Sequence, residues 1–281
     1  MFRNLGLLSA LIALAVTSEG HTDEHKQDGT LAKASALIGR NVINTQNEAL
    51  GEVYDLILDQ AELRISHVVL AEGGVLGIGA TLRPVPIEAA KLRRPPNAKV
   101  AALTPAPPTP APRAARRPGR GSWVLEVDVT QERFQEAPIL EDDWSVIEGE
   151  QWAANLDAFY GLRDIERSDE RQTYRVSQLN GTRVRDRTGM RALGSLREIV
   201  FEIAAGQIRY GAVAHGGFLG FGETLVAVPW RAFTVQEITG WNEFNLVLDA
   251  SEEQIQEAAG FDHDHWPNIA NPGLAEELGV H

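Results

Sequence analysis

The chain contains no cysteine among its 281 residues. Disulfides, thiolate metal ligands, a thiol nucleophile and a lipid-modified cysteine behind a leader are therefore excluded. Long apolar runs are scarce as well, because the most apolar stretch, residues 5–16, covers only 12 positions. A helix that spans a bilayer needs about 20. Because no disulfide is available, the folded protein must depend on packing for its stability.

Basic residues are also in short supply: 26 Lys and Arg stand against 39 Asp and Glu, for a formal net charge of −13. This balance argues against nucleic acid as a partner, because such binding relies on clustered cations that neutralise phosphates. The sequence shows no Ser-His-Asp arrangement and no carboxylate in an apolar setting that would raise its pKa. We therefore predict no enzymatic activity, no catalytic residues and no cofactor, and we expect Asp55, Asp59 and Glu198 to face solvent.

The first 20 residues have the layout of a secretory signal peptide. Arg3 precedes the apolar stretch, and small residues such as Ala15 and Ser18 stand where a signal peptidase cuts. We predict that residues 1–20 are removed and that the mature protein is periplasmic. An uncleaved N-terminal membrane tether is the alternative.

The main positive feature of the sequence is an internal repeat. Residues 72–86, EGGVLGIGATLRPVP, return as HGGFLGFGETLVAVP at residues 215–229, which is 143 positions later. Residues 124–137 return at 245–258, only 121 positions later, so the first copy carries an insertion before its last strand. Each copy of such a duplication must bury its own apolar face. The chain therefore contains two domains of one architecture.

Each copy predicts a series of short strands separated by glycine and polar turns. This pattern is typical of a small antiparallel barrel, and Pro84 and Pro86 place their strand at an edge. The predicted fold class is therefore mainly β, with two tandem small antiparallel β-barrels, each followed by a short helix. The predicted organisation is a signal peptide (1–20), a first barrel domain (34–140), a connector (141–173), a second barrel domain (174–266) and a C-terminal tail (267–281).

The insertion in the first copy, residues 91–122, holds eight Lys and Arg, eight prolines and no acid. Such a composition does not pack a core and predicts an extended, polyproline-like tether. One interpretation is a solvated loop without a specific role. The other is a basic arm, with Arg113, Arg116 and Arg117, that contacts an anionic membrane surface, an acidic partner or the protein's own acidic barrels.

The glycine-rich loops at 73–79 and 216–222 lead into strands rather than helices, which disfavours a phosphate-binding role. We predict structural turns with positive φ instead. The apolar residues of the second loop allow two interpretations. Phe218, Leu219 and Phe221 either plug the end of their barrel or form an exposed tip that grips a protein partner.

The best candidates for a metal site are Asp262, His263, Asp264 and His265. Imidazole and carboxylate groups are the ligands left to a chain without cysteine. In an extended segment the two histidines point to the same side. The alternative is a solvated acidic turn anchored by Trp266.

The order of these motifs resembles the PRC-barrel family. The shared pattern is Leu-Ile-Gly-x-x-Val, Gly-Glu-Val-x-Asp-Leu-Ile-Leu-Asp, Val-Val-Leu, Gly-Gly-x-Leu-Gly-Ile-Gly and Val-Pro, and residues 216–230 match it most closely. The resemblance implies a barrel similar to those of the photosynthetic reaction centre H subunit and the C-terminal domain of the ribosome maturation factor RimM. It also implies a non-enzymatic module that binds and steadies other macromolecules.

The sequence as a whole predicts an exported, non-catalytic scaffold for protein binding or assembly, at the membrane surface. The expected partners are proteins, with a membrane complex as one candidate, and residues 91–122 would contact anionic lipid only under the basic-arm interpretation. One alternative is a stress protein that binds a metal or small ligand. Another is an accessory subunit of a membrane photosynthetic or electron-transfer complex, which rests on family analogy alone.

Overall fold

The structure is a computed structural model that describes residues 31–73, 79–93, 124–141, 143–163, 165, 168, 171–216, 223–238 and 243–280. The predicted leader, most of the basic insertion and the centres of both glycine-rich loops lie outside these ranges. None of the helices inside them has both the length and the apolar character that crossing a membrane requires. We call residues 31–163 repeat 1 and residues 171–280 repeat 2.

Strands are the main regular structure of the described residues and outnumber the helical ones, because runs of Val, Ile and Leu pack well on a pleated surface. The first seven strands are β1 (Leu31–Lys33), β2 (Asn41–Asn44), β3 (Ala49–Asp59), β4 (Arg64–Glu72), β5 (Thr81–Pro86), β6 (Ala90–Arg93) and β7 (Val124–Val127). The other seven are β8 (Thr173–Arg175), β9 (Arg183–Asp186), β10 (Ala192–Glu202), β11 (Ile208–His215), β12 (Thr224–Pro229), β13 (Phe233–Ile238) and β14 (Glu243–Leu248).

The helices are short and lie outside the sheets. They are α1 (Ala34–Leu37), α2 (Gln131–Gln135), α3 (Glu150–Phe159), α4 (Val176–Leu179), α5 (Glu252–Glu257) and α6 (Pro272–Glu277). The helix that follows each barrel begins at a capping residue, as such sequences favour. Thr130 accepts a hydrogen bond from the Arg133 N–H at 3.2 Å, and Ser251 forms a capping box with Gln254.

The described strands form two seven-stranded sheets, each with six strands from one repeat and one strand from the other. The first has the order β5-β4-β3-β2-β7-β6, with β8 paired to β3. The second has the order β12-β11-β10-β9-β14-β13, with β1 paired to β10. The two orders are the same path through each copy, and β5 lies at the end of its sheet, as its prolines predicted.

The predicted fold class is confirmed, with two refinements. First, β2 runs parallel to β7, and β9 runs parallel to β14, so the sheets are not wholly antiparallel. Second, β5 and β6 at the two ends of the first sheet do not pair with each other among the described strands, so hydrogen bonds do not close this sheet into a barrel. The reason is the single 3₁₀ turn at Ile87–Ala89, after which β6 pairs with β7 instead of returning to β5.

The two repeats exchange their first strands. β1, which leads into repeat 1, pairs with β10 of repeat 2, and β8, which leads into repeat 2, pairs with β3 of repeat 1. The turns after β3 and β10 also form hydrogen bonds with the other copy. The Ile65 N–H donates to the Gly206 carbonyl at 2.8 Å. The Ile208 N–H donates to the Leu63 carbonyl at 3.0 Å. Neither sheet is complete without the other repeat.

One apolar core runs through both repeats. Val53, Leu56 and Leu58 of β3 belong to the same buried cluster as Leu196 and Phe201 of β10. A fully buried side chain of this kind stabilises the fold by about 1.5–3 kcal/mol. Because this cluster is shared, we expect the two repeats to unfold together.

The outer face of each sheet is covered by the segment that follows the barrel. On repeat 1, Ile57 and Val69 are packed under a cluster of partly and fully buried residues that includes Trp144, Ile147 and Trp152. On repeat 2, the equivalent Val200 and Ala212 are covered by residues that include Phe261, Trp266 and Ala270. β3 and β10 are therefore buried on both faces, which determines what their carboxylates contact.

Candidate functional site

Repeat 1 has an open groove in which exposed apolar side chains meet. The groove has a volume of about 600 Å³ and is lined by Tyr54, Ala80, Thr81, Leu82, Ile139, Leu140, Glu141, Trp144 and Arg175. We call it the tyrosine groove. Tyr54 is 38% exposed and Ile139 is 52% exposed, and they are two of the four exposed large hydrophobic residues of the described chain. Exposed apolar residues that cluster in this way are typical of a surface that contacts another molecule.

Local structure explains why these side chains converge. Tyr54 points outward because it lies between two buried residues on β3, where side chains alternate between faces. Ile139 is held at the edge of β5, because the adjacent Leu140 N–H donates to the Leu82 carbonyl at 2.8 Å. Asp143 accepts a hydrogen bond from the Ser145 N–H at 3.0 Å and starts the turn that carries Trp144.

The aromatic wall of the groove is stacked around one guanidinium group. The rings of Tyr54 and Trp144 have centroids 6.2 Å apart and planes inclined at 41°. The Arg175 Cζ lies 4.2 Å from the Trp144 centroid and 5.8 Å from the Tyr54 centroid. Such cation–π contacts each stabilise an exposed pair by about 0.5–1 kcal/mol.

A buried carboxylate fixes Arg175. Asp55 is fully buried, and its Oδ2 accepts a hydrogen bond from the Arg175 Nε at 2.9 Å. The same carboxylate accepts the Ser177 N–H at 3.1 Å and the Ser177 hydroxyl at 2.5 Å. Arg175 and Ser177 belong to the strand and helix that repeat 2 lends to repeat 1. The tyrosine groove therefore needs both repeats for its assembly.

The equivalent carboxylate of repeat 2 makes the reciprocal contact. Glu198 lies 143 positions after Asp55 and is 5% exposed. It accepts the Ser35 N–H at 3.1 Å and also the Ser35 hydroxyl. Nearby, the Lys33 Nζ lies 3.7 Å from the centroid of the Trp266 ring. Burial lowers the pKa of Lys33, whereas the charge of Glu198 acts in the opposite direction.

The expectation that Asp55, Asp59 and Glu198 face solvent is wrong. Their exposed fractions are 0%, 1% and 5%, because the strands that carry them are covered on both faces. Asp59 accepts hydrogen bonds from two N–H groups of the following turn, and burial raises its pKa. For Asp55 and Glu198 the repeat itself indicates a buried contact. Both copies have an acid at this position, and both have a serine in the segment that precedes the barrel, Ser35 and Ser177.

Repeat 2 has different chemistry at the position of the groove. Arg197 stands where repeat 1 has Tyr54, and Glu223 stands where repeat 1 has Ala80. Their side chains form an ion pair at 2.7 Å. The neighbouring His215 replaces Glu72 of repeat 1, and burial lowers its pKa. The aromatic groove is therefore a feature of the first copy.

The four predicted metal ligands lie on one exposed turn but contact different partners. The His265 Nδ1 lies 2.9 Å from Asp262, whereas the His263 Nε2 lies 3.7 Å from Glu223. Hydrogen bonds from the Asp264 N–H and the His265 side chain lower the pKa of Asp262. No group of three or more His, Asp or Glu side chains converges on a metal position within the described ranges. The metal site stays a prediction.

The predicted partner-binding residues lie outside the described residues. These are Phe218, Leu219 and Phe221 of the second glycine-rich loop, and Arg113, Arg116 and Arg117 of the basic insertion. Their roles stay predictions. The described ends of the glycine-rich loops do have the positive φ that we predicted, at +70° for Gly73, +71° for Gly79 and +67° for Gly216.

Comparison with protein families identifies one domain type, found twice. The profile of the PRC-barrel domain matches residues 30–94 and residues 171–251, which together make up more than half of the chain. A comparison with curated proteins finds no match. Ile139, Glu141 and Trp144 lie between the two matched ranges, so the family match does not account for this wall of the groove.

Proposed function

We propose that this chain, which belongs to the PRC-barrel family, is a non-catalytic scaffold. It would bind a protein partner outside the cytoplasm. The observation that carries the proposal is the tyrosine groove. It presents the exposed Tyr54 and Ile139 beside the partly buried Trp144 on one face of repeat 1. Aromatic anchors that are rigidly held and surrounded by polar groups supply much of the affinity at protein interfaces.

The exchanged strands support a scaffold role. Arg175 of repeat 2 forms an ion pair with Asp55 and stacks on Trp144, both of repeat 1. Each repeat therefore supplies part of the groove. Because the groove is held in place before a partner arrives, little conformational entropy is lost on binding. A protein whose two repeats complete each other in this way is suited to hold a partner in a fixed orientation.

The proposed location rests on residues 1–20, whose layout is that of a secretory leader. An exported scaffold of this kind would meet its partner in the periplasm, at a membrane complex or at the membrane surface. The partner's surface should be apolar at its centre, to match the aromatic wall, with polar groups at the rim.

Site-specific crosslinking in periplasmic and membrane extracts tests the proposal. A photoreactive residue at the rim position Glu141 should crosslink to one protein in the native extract. Tyr54→Ala should reduce this crosslink about tenfold or more, because it removes a central aromatic anchor. Arg197→Ala is the matched control, since this residue occupies the equivalent position of repeat 2, and it should leave the crosslink unchanged. Equal crosslinking in wild type and Tyr54→Ala would contradict binding at the groove.

A further inference from the structure

We infer that the tyrosine groove is occupied by the protein's own proline-rich segment, residues 104–118, until a partner displaces it. This inference rests on the proposed function, because it takes the groove to be a docking surface. Residues 104–118 read TPAPPTPAPRAARRP and lie within the basic insertion that joins β6 to β7. They belong to the part of the chain outside the described residues.

The groove has the surface chemistry that proline-rich segments bind. Such segments dock on aromatic side chains, because the flat pyrrolidine ring packs on an aromatic face and the extended backbone loses little entropy. The Tyr54 and Trp144 rings, 6.2 Å apart, form such a surface beside the exposed Ile139. By contrast, two other large rings of the described chain are enclosed, since Trp230 is only 1% exposed and Phe134 is fully buried.

Charge complementarity favours a segment of this chain as the occupant. The insertion at 91–122 has eight Lys and Arg and no acid, whereas residues 139–144, which supply one wall of the groove, have three acids and no base. Glu141 lines the groove and is exposed. Among the described residues that line the groove the one cation is Arg175, and its pairing with Asp55 at 2.9 Å compensates its charge. An electrostatic attraction of this kind weakens as salt increases.

The tether is long enough to reach the groove. Arg93 and Val124 are paired across β6 and β7, and 30 residues lie between them. Half of that length spans about 45 Å as a polyproline helix, whereas a domain of this size is about 35 Å across. The tether also keeps the segment at a local concentration on the order of millimolar, so a weak intrinsic affinity is enough for occupancy.

The second copy supports the same conclusion. Repeat 2 has no insertion before its last strand, and its counterpart of Tyr54 is Arg197, paired with Glu223 at 2.7 Å. The proline-rich insertion and the aromatic groove are thus two departures from the repeat, and both occur in the same copy. A functional connection between them explains that coincidence.

The test uses the full chain in two forms. In one form, residues 97–120 are replaced by a Gly-Ser segment of equal length, and a fluorescent peptide of residues 101–120 is titrated in by anisotropy. This form should bind the peptide, whereas the intact chain should bind it at least tenfold more weakly, because its own segment competes. Tyr54→Ala and Ile139→Ser should each weaken binding to the replaced form about tenfold. Arg197→Ala is the control and should have no effect.

Three results would overturn the inference. The first is no binding of the peptide to the replaced form, including the case in which the peptide binds only anionic vesicles of phosphatidylglycerol. The second is equal binding to the intact and replaced forms, which would mean that the segment does not occupy the groove. The third is that Ile139→Ser and Arg197→Ala weaken peptide binding to the replaced form by the same factor. Loss of peptide binding with a Tyr54-dependent crosslink intact would refute this inference alone and leave the proposed function standing.

Discussion

The buried carboxylate of Asp55 should contribute strongly to the stability of the two-repeat fold. It accepts hydrogen bonds from the Leu56 N–H, from the Ser177 N–H and hydroxyl, and from the Arg175 Nε, at distances between 2.5 and 3.1 Å. Asp55→Ala removes all four acceptor contacts. It also leaves the partly buried Arg175 guanidinium without its anion.

The expected loss follows from these contacts. Removing one partner of a buried ion pair costs about 3–5 kcal/mol, because the other charge stays desolvated and unpaired. For a protein of this size, each kcal/mol lowers Tm by about 2–4 °C. We therefore expect Asp55→Ala to lower the Tm by roughly 6–20 °C. Asp55→Asn keeps the shape of the side chain and an acceptor oxygen, so its effect should be about half as large.

Calorimetry and urea unfolding of the full chain measure this effect. Glu52→Ala is the matched control, because Glu52 lies on the same strand and is exposed, and its effect should stay within about 0.5 kcal/mol. The shared core and exchanged strands also predict one cooperative transition, which the substitution should move as a whole. A loss below about 1 kcal/mol, or two transitions of which only one moves, would refute the reasoning.

Two other predictions concern the contact between the repeats and the acidic turn. Gly206→Ala should destabilise the fold by about 2 kcal/mol or more, because a Cβ at φ +71° would lie 2.2 Å from the Ile65 carbonyl oxygen. The control is Gly189→Ala, at φ +72° with nothing within 4 Å of the added Cβ, which should lower the free energy of unfolding in urea by only about 1 kcal/mol. Equal losses in the two variants would contradict a tight contact at Gly206. In metal analysis, protein dialysed against Zn²⁺ should keep less than one ion per chain, because His263 and His265 contact different acids. A stoichiometric ion that is lost in the His263→Ala, His265→Ala double variant would instead establish the metal site.

Local patterns predicted the parts of this fold that depend on neighbours in sequence. The strand with Pro84 and Pro86 lies at a sheet edge, as predicted, and Ser251 and Gln254, three positions apart, form a capping box. These features could be found because a cap or an edge needs only a few adjacent residues and their backbone groups. The duplication likewise predicted that the two copies share one strand order.

The tyrosine groove could not be predicted in the same way. Tyr54 and Trp144 are separated by 90 positions in the chain, and Arg175 comes from the other repeat. Nothing in the local pattern around Tyr54 distinguishes a solvated aromatic residue from one wall of a groove. The prediction failed for Asp55 for the same reason, since its donors Ser177 and Arg175 reach it only through the exchanged strand.

The sequence by itself determined the class of fold, the duplication and the family, because these depend on patterns of hydrophobic and turn residues that each copy repeats. The tertiary structure alone decided that each repeat lends a strand to the other, that the two acids are buried beneath these strands, and that one copy has an aromatic groove. The physical reason is that burial and pairing of a polar group depend on which distant donors surround it. The pairing of β1 with β10 and of β8 with β3 brings those donors to the two carboxylates.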